Sequence, residues 1–443
     1  MNLKKSHLKF LLLLCNLIVV SNPFSAQTIR AYFNQSVDHS ISSITDASQS
    51  IHLEDTICSL INSTSSTLDI AVWDNGSDAI VAALNAAEIR GVQVRYITSS
   101  NSTNTALSNL SATIPVLERN AGLTSNVMHN KFIIADLTTV FMGSMNFGMG
   151  SILDDYNNVV ILTDNVLALN YTTEFNEMWG SSGAQPNLSL SKFGPDKTDN
   201  TTHQFTVDGI TVESYFSPTD LTTSHIIDAI NSADFTLDIA LFTFINNDLG
   251  DAVIAAKNRG VYVRCIIENS GYFGSEYNGL ISAGISTFSH SGVPNDFHHK
   301  YCIIDAFQAN SDPQVVTGSH NWTNSAEDEY DENTLIIHDL ILAQQYTEEF
   351  FKRYTELGGL GIVQANEFST IQLFPNPTNG QLYLKNQRQL SCKMEIFNLE
   401  GKRVQTIDLG GFETSVFLDL IPGMYYITLQ TDSEMYQQAL VIE

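Results

Sequence analysis

Two rhythms of apolar and polar residues alternate along this chain, and the switches between them mark out its elements. Short apolar or alternating runs bounded by turn residues predict strands, and apolar residues recurring every three to four positions predict helices. On that basis residues 29–33 predict a strand, 53–62 a helix, 67–73 a strand and 78–89 a helix. Segments 92–98, 131–135, 139–142 and 159–162 follow as strands, and 166–179 as a helix. The same order begins again near Thr211 and runs to about Leu357. Between the two, 181–202 is rich in Ser, Asn, Asp, Gly and Pro and predicts a linker or long surface loop. After about Val363 the rhythm shortens to alternating segments at 371–374, 381–384, 394–397, 415–418 and 425–429, which predict a small all-β sandwich.

The repetition extends to individual residues. Leu68-Asp69-Ile70-Ala71 recurs as Leu237-Asp238-Ile239-Ala240, and Arg90-Gly91-Val92 as Arg259-Gly260-Val261, at a constant offset of 169. Later the offset grows to 175 (Tyr171 to Tyr346, Phe175 to Phe350), through a longer loop around 307–313. So long a period is a duplicated domain and not a solenoid. The expected fold class is α/β: two α/β sandwich lobes related by a pseudo-twofold, with helices on both faces of a mixed sheet, plus the C-terminal β-sandwich. Expected boundaries are 1–26 for a signal peptide, 27–180 and 206–362 for the lobes with 181–205 linking them, and 368–443 for the sandwich.

The signal-peptide reading rests on Lys4, Lys5 and Lys9 ahead of an apolar run at 10–20 that closes on Ser25-Ala26. The run is short for a membrane span, and no later stretch reaches that length, so no stable transmembrane segment is expected. Losing those three lysines takes the formal charge from −27 to −30. That balance weighs against nonspecific grip on nucleic acid and against adsorption to anionic lipid. The remaining cysteines, Cys58, Cys265, Cys302 and Cys392, form no disulfide framework and no zinc spacing. Cys265 and Cys302, expected on neighbouring strands, would either pair in an oxidising compartment or stay as buried thiols.

The chemistry lies in a motif written twice. His129, Lys131 and Asp136 precede Gly143-Ser144-Met145-Asn146, and His298, Lys300 and Asp305 precede Gly318-Ser319-His320-Asn321. Histidine and lysine two apart on a strand share a face, so each copy presents a His–Lys pair. Facing each other, two such pairs suit phosphodiester cleavage without a metal or other cofactor: one imidazole attacks phosphorus, the other protonates the leaving oxygen, and the lysines neutralise phosphate. The Gly-Ser-x-Asn turns would complete the phosphate cradle with Ser144, Asn146, Ser319 and Asn321. His299 should face away from the cleft, and His320 either tunes the site or is a turn residue. The acid run from Glu327 to Glu332 reads as a solvated loop delivering Glu332 rather than as a metal site. Tyr272, Phe273 and Tyr277 either wall the cleft or pack their own loop.

These residues resemble the signature of the phospholipase D superfamily, which includes phospholipases, nucleases and phosphatidyltransferases. The likeness covers about residues 29–357, and the second copy departs from it with twelve residues, not six, between Asp305 and Gly318. The resemblance implies a bilobal fold with the site at the lobe interface, an intramolecular pseudo-dimer in a monomeric chain. It implies a covalent phosphohistidine with His129 and His298 as nucleophile and acid, phosphate bound by Lys131, Lys300, Asn146 and Asn321, and Asp136 and Asp305 holding the architecture near the site. Eleven residues past each motif asparagine stand Asn157 and Glu332. The family often has a carboxylate there bonded to the imidazole of the same copy, which favours His298; its single-chain members commonly use the N-terminal histidine as nucleophile, which favours His129.

The C-terminal module also resembles a known family. Phe374-Pro375-Asn376-Pro377, Phe397-Asn398-Leu399-Glu400-Gly401-Lys402 and Gly423-Met424-Tyr425-Tyr426 look like the type A sorting domain of the type IX secretion system. This implies Sec export, contact with the type IX machinery, and release or attachment at the outer cell surface. The sequence thus supports a secreted hydrolase of phospholipid head-group phosphodiesters. A secreted nonspecific nuclease is the alternative, and a surface-displayed phosphate-binding protein without catalysis is a second.

Overall fold

A computed structural model describes residues 28–41, 44–49, 53–120, 127–308, 311–359, 371–374, 378–386, 392–398, 402–410, 413–430 and 435–442. The segment read as a signal peptide and the turn at 375–377 lie outside the described residues.

The first sheet is formed by β1 (Ile29–Phe33), β2 (Ser48–Gln49), β3 (Thr67–Val72), β4 (Gln93–Ser99), β5 (Val116–Arg119), β6 (Lys131–Ala135), β7 (Thr139–Gly143) and β8 (Asn158–Thr163). Its helices are α1 (Leu53–Ser63), α2 (Asp78–Ile89), α3 (Met149–Leu153) and α4 (Asn165–Trp179). The second sheet holds β9 (Gln204–Val207), β10 (Ile210–Ser217), β11 (Thr236–Leu241), β12 (Tyr262–Ile267), β13 (Ser286–Ser289), β14 (Lys300–Ile304), β15 (Gln314–Gly318) and β16 (Glu332–Ile337). With it go α5 (Thr222–Ser232), α6 (Asn247–Arg259), α7 (Tyr277–Ser282), α8 (Asn324–Asp328) and α9 (Leu340–Glu356).

Strand order is β5-β4-β3-β6-β7-β8-β1-β2 in one sheet and β13-β12-β11-β14-β15-β16-β10-β9 in the other. The two match strand for strand, as the sequence offset requires. They part only at the edge, where β2 runs parallel to β1 and β9 antiparallel to β10.

The repeated Asp and Arg of the early motifs are structural. Asp69 lies opposite Arg95 on parallel strands β3 and β4, and Asp238 opposite Arg264 on β11 and β12. Each pair is buried and joined by two bonds, 2.6 and 2.6 Å in the first lobe and 2.5 and 2.7 Å in the second. Phe175 on α4 covers Arg95 at 4.7 Å, and Phe351 on α9 covers Arg264 at 4.2 Å. The pairs therefore fasten each long helix to its own sheet, and removing one partner would strand a buried charge.

One apolar core runs through both lobes, with Phe132, Met142, Tyr171 and Phe175 packed alongside Phe216, Tyr301, Tyr346 and Phe350. Two outer cores belong to single lobes, around Leu68 and Leu84 and around Leu237 and Val253. Burial of this kind contributes about 1.5–3 kcal/mol per large side chain, so the shared core holds the lobes in one arrangement. The segment expected as a linker is part of that arrangement. Its Lys197 is buried against Glu174 and 3.2 Å from Asp331, tying the first lobe's last helix to the second lobe's site strand.

Cys265 and Cys302 are free and buried, and they are not on adjacent strands. Ile239 on β11 pairs with Cys265 on one side and Cys302 on the other, so a whole strand separates the thiols. A disulfide between them is excluded by that spacing.

The C-terminal module is the expected all-β sandwich. Strands β17 (Ile371–Phe374), β18 (Gln381–Asn386) and β21 (Glu413–Phe417) form one sheet. Strands β19 (Cys392–Asn398), β20 (Arg403–Leu409), β22 (Gly423–Gln430) and β23 (Met435–Ile442) form the other. Leu382, Leu384, Met394, Ile396, Ile427 and Leu429 fill the space between.

Candidate active site

Both motif histidines stand two residues before the first residue of a central strand. Lys131 opens β6 opposite Val72, and Lys300 opens β14 opposite Leu241. The next residues of the partner strands are Trp73 and Phe242, whose rings lie 5.9 Å from His129 and 4.9 Å from His298 respectively. The histidines do not rest on their own lobes alone. The His129 amide donates to Asp331 O (2.9 Å) and the His298 amide to Tyr156 O (3.0 Å), so each is stitched to the opposite lobe.

That crossing corrects the expected pairing of Glu332. His129 Nδ1 bonds Glu332 Oε1 at 2.8 Å, across the interface, whereas His298 Nδ1 bonds Asn157 Oδ1 at 3.0 Å. Each imidazole is thus oriented by the other copy's residue, because the strand beside it belongs to the other copy. Glu332 is also no solvated loop residue: it begins β16 and is fully buried. Asp331 before it is held by Arg119 and by the Gly194 amide (2.7 Å).

The amide of Asn157 has a fixed orientation. Its Nδ2 donates to Ser151 O at 3.0 Å, so Oδ1 faces His298 and takes the proton of Nδ1. Glu332 takes the corresponding proton of His129. Both rings therefore turn Nε2 toward the cleft.

The serines expected in the phosphate cradle face the other way. Ser144 Oγ donates to Asn157 Oδ1 at 2.8 Å, and Ser319 Oγ accepts the Asn333 amide at 3.0 Å beside Glu332. Both are fully buried, so they support the residues behind the imidazoles. Asn146 and Asn321 follow in the same turns, each with a buried Oδ1 that has no hydrogen-bond partner among the described residues.

Asp136 and Asp305 are not in the cleft. They end β6 and β14, a strand's length from the histidines, each at φ 51. Asp136 accepts the amides of Ser65, Ser66 and Thr67, and Asp305 those of Asp234, Phe235 and Thr236, at 2.6–3.2 Å. They clamp the starts of β3 and β11.

The lysines are buried, and each Nζ bonds the carbonyl of its own histidine. Burial lowers Lys131 to about 7, against the pull of Glu332 and Asp74. Burial, then Lys131, lowers Lys300 well below its ordinary value. The same burial, with the ammonium groups beside it, holds His129 and His298 well below 6.5. Burial pushes Glu332 up to about 7, opposed first by Lys131. Without an anion the cleft is a place where positive charge is disfavoured, and a bound phosphate reverses that.

His299 turns away as expected: Nδ1 meets Asn158 Oδ1 at 3.0 Å and Nε2 lies 3.2 Å from Glu349. His320 is buried, with Nε2 3.5 Å from Glu327, and it lies near both His129 and Glu332. Tyr277 begins α7 and packs on the second lobe's core, while Tyr272 and Phe273 are exposed and do not pack their own loop. Asp74 was missed by sequence reasoning. It is a carboxylate near Lys131, and the duplicated position 169 residues on is Thr243, so the offset itself was the available signal.

The family described as cardiolipin synthase, PLD-like domain, matches residues 57–179 and 226–354, one stretch in each lobe. The chain belongs to the phospholipase D superfamily. A mitochondrial cardiolipin hydrolase of Chlamydomonas reinhardtii is 33% identical over 139 residues, 31% of this chain and 59% of that protein. A phospholipase D of Rickettsia prowazekii (strain Madrid E) is 31% identical over 150 residues, 32% of this chain and 68% of its own length. Among solved structures, phosphatidylserine synthase of Haemophilus influenzae Rd KW20 aligns over 71% of this chain and 88% of its own, at 15% identity and a TM-score of 0.49. The chain spans about three-fifths of the length of the cardiolipin hydrolases it matches first. Residues 372–443 of this superfamily member match the secretion system C-terminal sorting domain. Among the described residues no helix is long and apolar enough to cross a membrane.

Proposed function

We propose that the protein is a secreted phospholipase D-type phosphodiesterase that hydrolyses phospholipid head-group esters through a phosphohistidine on His129. The observation that carries this is the pair of anchored imidazoles, one backed by a carboxylate and one by an amide. Glu332 stabilises positive charge on His129, so Nε2 of that ring is the better nucleophile. Asn157 lends His298 no such charge, so its imidazolium gives up a proton more readily.

In the first step Nε2 of His129 forms a bond to phosphorus while the bond to the head-group oxygen breaks. That oxygen takes the proton from Nε2 of His298. Water then attacks the phosphohistidine, giving its proton to His298, and phosphatidate leaves as His129 is restored. Lys131, Lys300, Asn146 and Asn321 hold the non-bridging oxygens, whose negative charge restores the lysines to their ammonium form. No step calls for a metal or cofactor.

Lipid is favoured over nucleic acid by the formal charge of −27 and by carboxylates close to the lysines, Asp74 and Asp155. The lipid-directed activities for which the cardiolipin hydrolase and phospholipase D relatives are named point the same way. The sorting tail supports delivery to the cell surface or beyond by the type IX machinery, with the tail removed on arrival.

The test offers the purified protein phosphatidylcholine vesicles and single-stranded DNA in parallel, in excess EDTA. Head-group release that survives EDTA and disappears in His129→Ala supports the reading. DNA cleavage with intact lipid replaces it with the nuclease, and silence on both leaves a phosphate-binding protein.

A further inference from the structure

We propose that the loop joining β12 to α7 is a lipid-surface anchor that docks the cleft on a zwitterionic bilayer. This rests on the phospholipid reading and adds the surface through which the lipid is reached. In Gly271-Tyr272-Phe273-Gly274 the phenylalanine is 103% exposed and the tyrosine 59%. Gly274, at φ +82, makes a left-handed turn that other residues rarely adopt. No packing in the described structure covers the ring. A phenylalanine beside a tyrosine suits the boundary between acyl chains and head groups, where amphipathic aromatics collect.

The loop is tied to the site. The Asn269 amide donates to Phe242 O at 2.9 Å, and Asn269 Nδ2 to Thr243 Oγ1 at 2.8 Å. Phe242 is the residue whose ring lies against His298. Ser270 meets Ser289 at 2.6 Å, joining the loop to the segment that carries half-exposed Val293.

The first lobe shows that the fold does not demand such a loop. Its counterparts, 169 residues earlier, are Thr103 and Asn104. There Asn104 is folded inward, accepting from the Asn75 amide at 2.9 Å and donating to Ser102 Oγ at 2.7 Å. One copy is polar and bonded to itself, and the other is aromatic and uncovered.

Exposed aromatics also stack nucleic-acid bases, but such platforms lie in grooves lined with Lys and Arg. From 265 to 299 the chain has neither, and it has Glu268, Glu276 and Asp296. That acidity also disfavours an anionic bilayer, which leaves a zwitterionic one held by apolar contact.

The experiment uses the full chain, phosphatidylcholine vesicles, and a short-chain phosphatidylcholine kept below its micelle threshold. Phe273→Asp should weaken sedimentation with vesicles by about 10- to 100-fold, the worth of burying one such side chain. Binding of the unaltered protein should barely change between low and high salt. Vesicle hydrolysis should fall with binding, while hydrolysis of the monomeric lipid stays the same. Unchanged vesicle binding in the variant overturns the anchor, as does an equal loss on monomeric lipid. Binding of single-stranded DNA that depends on Phe273, without vesicle binding, also overturns it. Vesicle binding that depends on Phe273, with no hydrolysis of either lipid, sustains the anchor and sinks the phospholipase reading instead.

Discussion

The two lobes share a strand order and a motif, yet they make unequal halves of one site. Behind the first lobe's histidine stands Glu332, and behind the second's stands Asn157, each supplied from across the interface. The first lobe has Asp74 near its lysine where the second has Thr243, and Met145 in its turn where the second has His320. Duplication supplies two imidazoles of one kind; a two-step displacement needs two of different kinds. The divergence falls on residues that set charge, while the residues that set geometry stay paired.

The sharpest way to break this inequality is to separate nucleophile from acid. His129→Ala should lose at least about a thousandfold on every substrate, because no phosphohistidine forms. His298→Ala should lose a comparable factor on lipid, yet still release about one equivalent of p-nitrophenolate per site in a rapid burst from a p-nitrophenyl phosphodiester, whose leaving group needs no proton, before turnover stalls at the phosphohistidine. Release of p-nitrophenolate measures both. The opposite pattern would exchange the roles of the lobes.

Next in size is the pair behind the rings. Glu332→Gln should lower kcat by about 10²- to 10⁴-fold, as amides do in place of a carboxylate behind a catalytic histidine. Asn157→Asp sets a negative charge beside His298 and raises its pKa. The imidazolium then persists to higher pH, so the basic limb of the rate profile should move upward. A downward shift would mean that His298 is not the acid.

Much of this was legible in the sequence and some was not. The offset of 169 exposed the duplication, and the alternation of His129 and Lys131 fixed which face they share. The crossing of Glu332 to His129 was hidden, because it depends on which lobe's strand lies beside which histidine. Nothing local reports that contact between residues 203 apart. The serines were misjudged for a related reason: a hydroxyl in a tight turn can serve a ligand or the strand behind it, and only burial decides. Strands β20 and β23 escaped because Arg403–Leu409 is largely exposed and Gln437 and Gln438 interrupt the apolar pattern of β23. Cys265 and Cys302 misled because similar strands in sequence need not be neighbours in the sheet.

A middle-sized effect concerns protons. With Lys131 lowered to about 7 in the empty cleft, its ammonium is largely absent at pH 8. An arriving phosphate favours the charged form, so binding of inorganic phosphate should take up protons. Calorimetry in two buffers of different ionisation heat measures that uptake, and affinity should fall by up to about tenfold per pH unit per proton above pH 7. The empty protein carries the opposite sign. A lysine whose folded pKa lies below its ordinary 10.5 binds fewer protons folded than unfolded, so its contribution to stability rises across that window. Proton-neutral binding would mean that both lysines are already charged in the empty cleft.

The smallest expected effect on catalysis belongs to the motif aspartates, and here the lobes differ in stability alone. Asp305 is wholly buried and takes three amides and the Ser311 hydroxyl (2.6 Å). Asp136 takes the corresponding three amides and the Ser65 hydroxyl (3.0 Å), but at a partly exposed corner where water can replace it. Asp305→Ala should therefore cost about 2–3 kcal/mol, since it leaves buried donors unpaired, and Asp136→Ala about 1 kcal/mol or less. Denaturant unfolding measures both, and kcat per folded molecule should stay the same in each. A fall in kcat at full folding would place these carboxylates in the chemistry after all, acting along β6 and β14 on the histidines at their far ends.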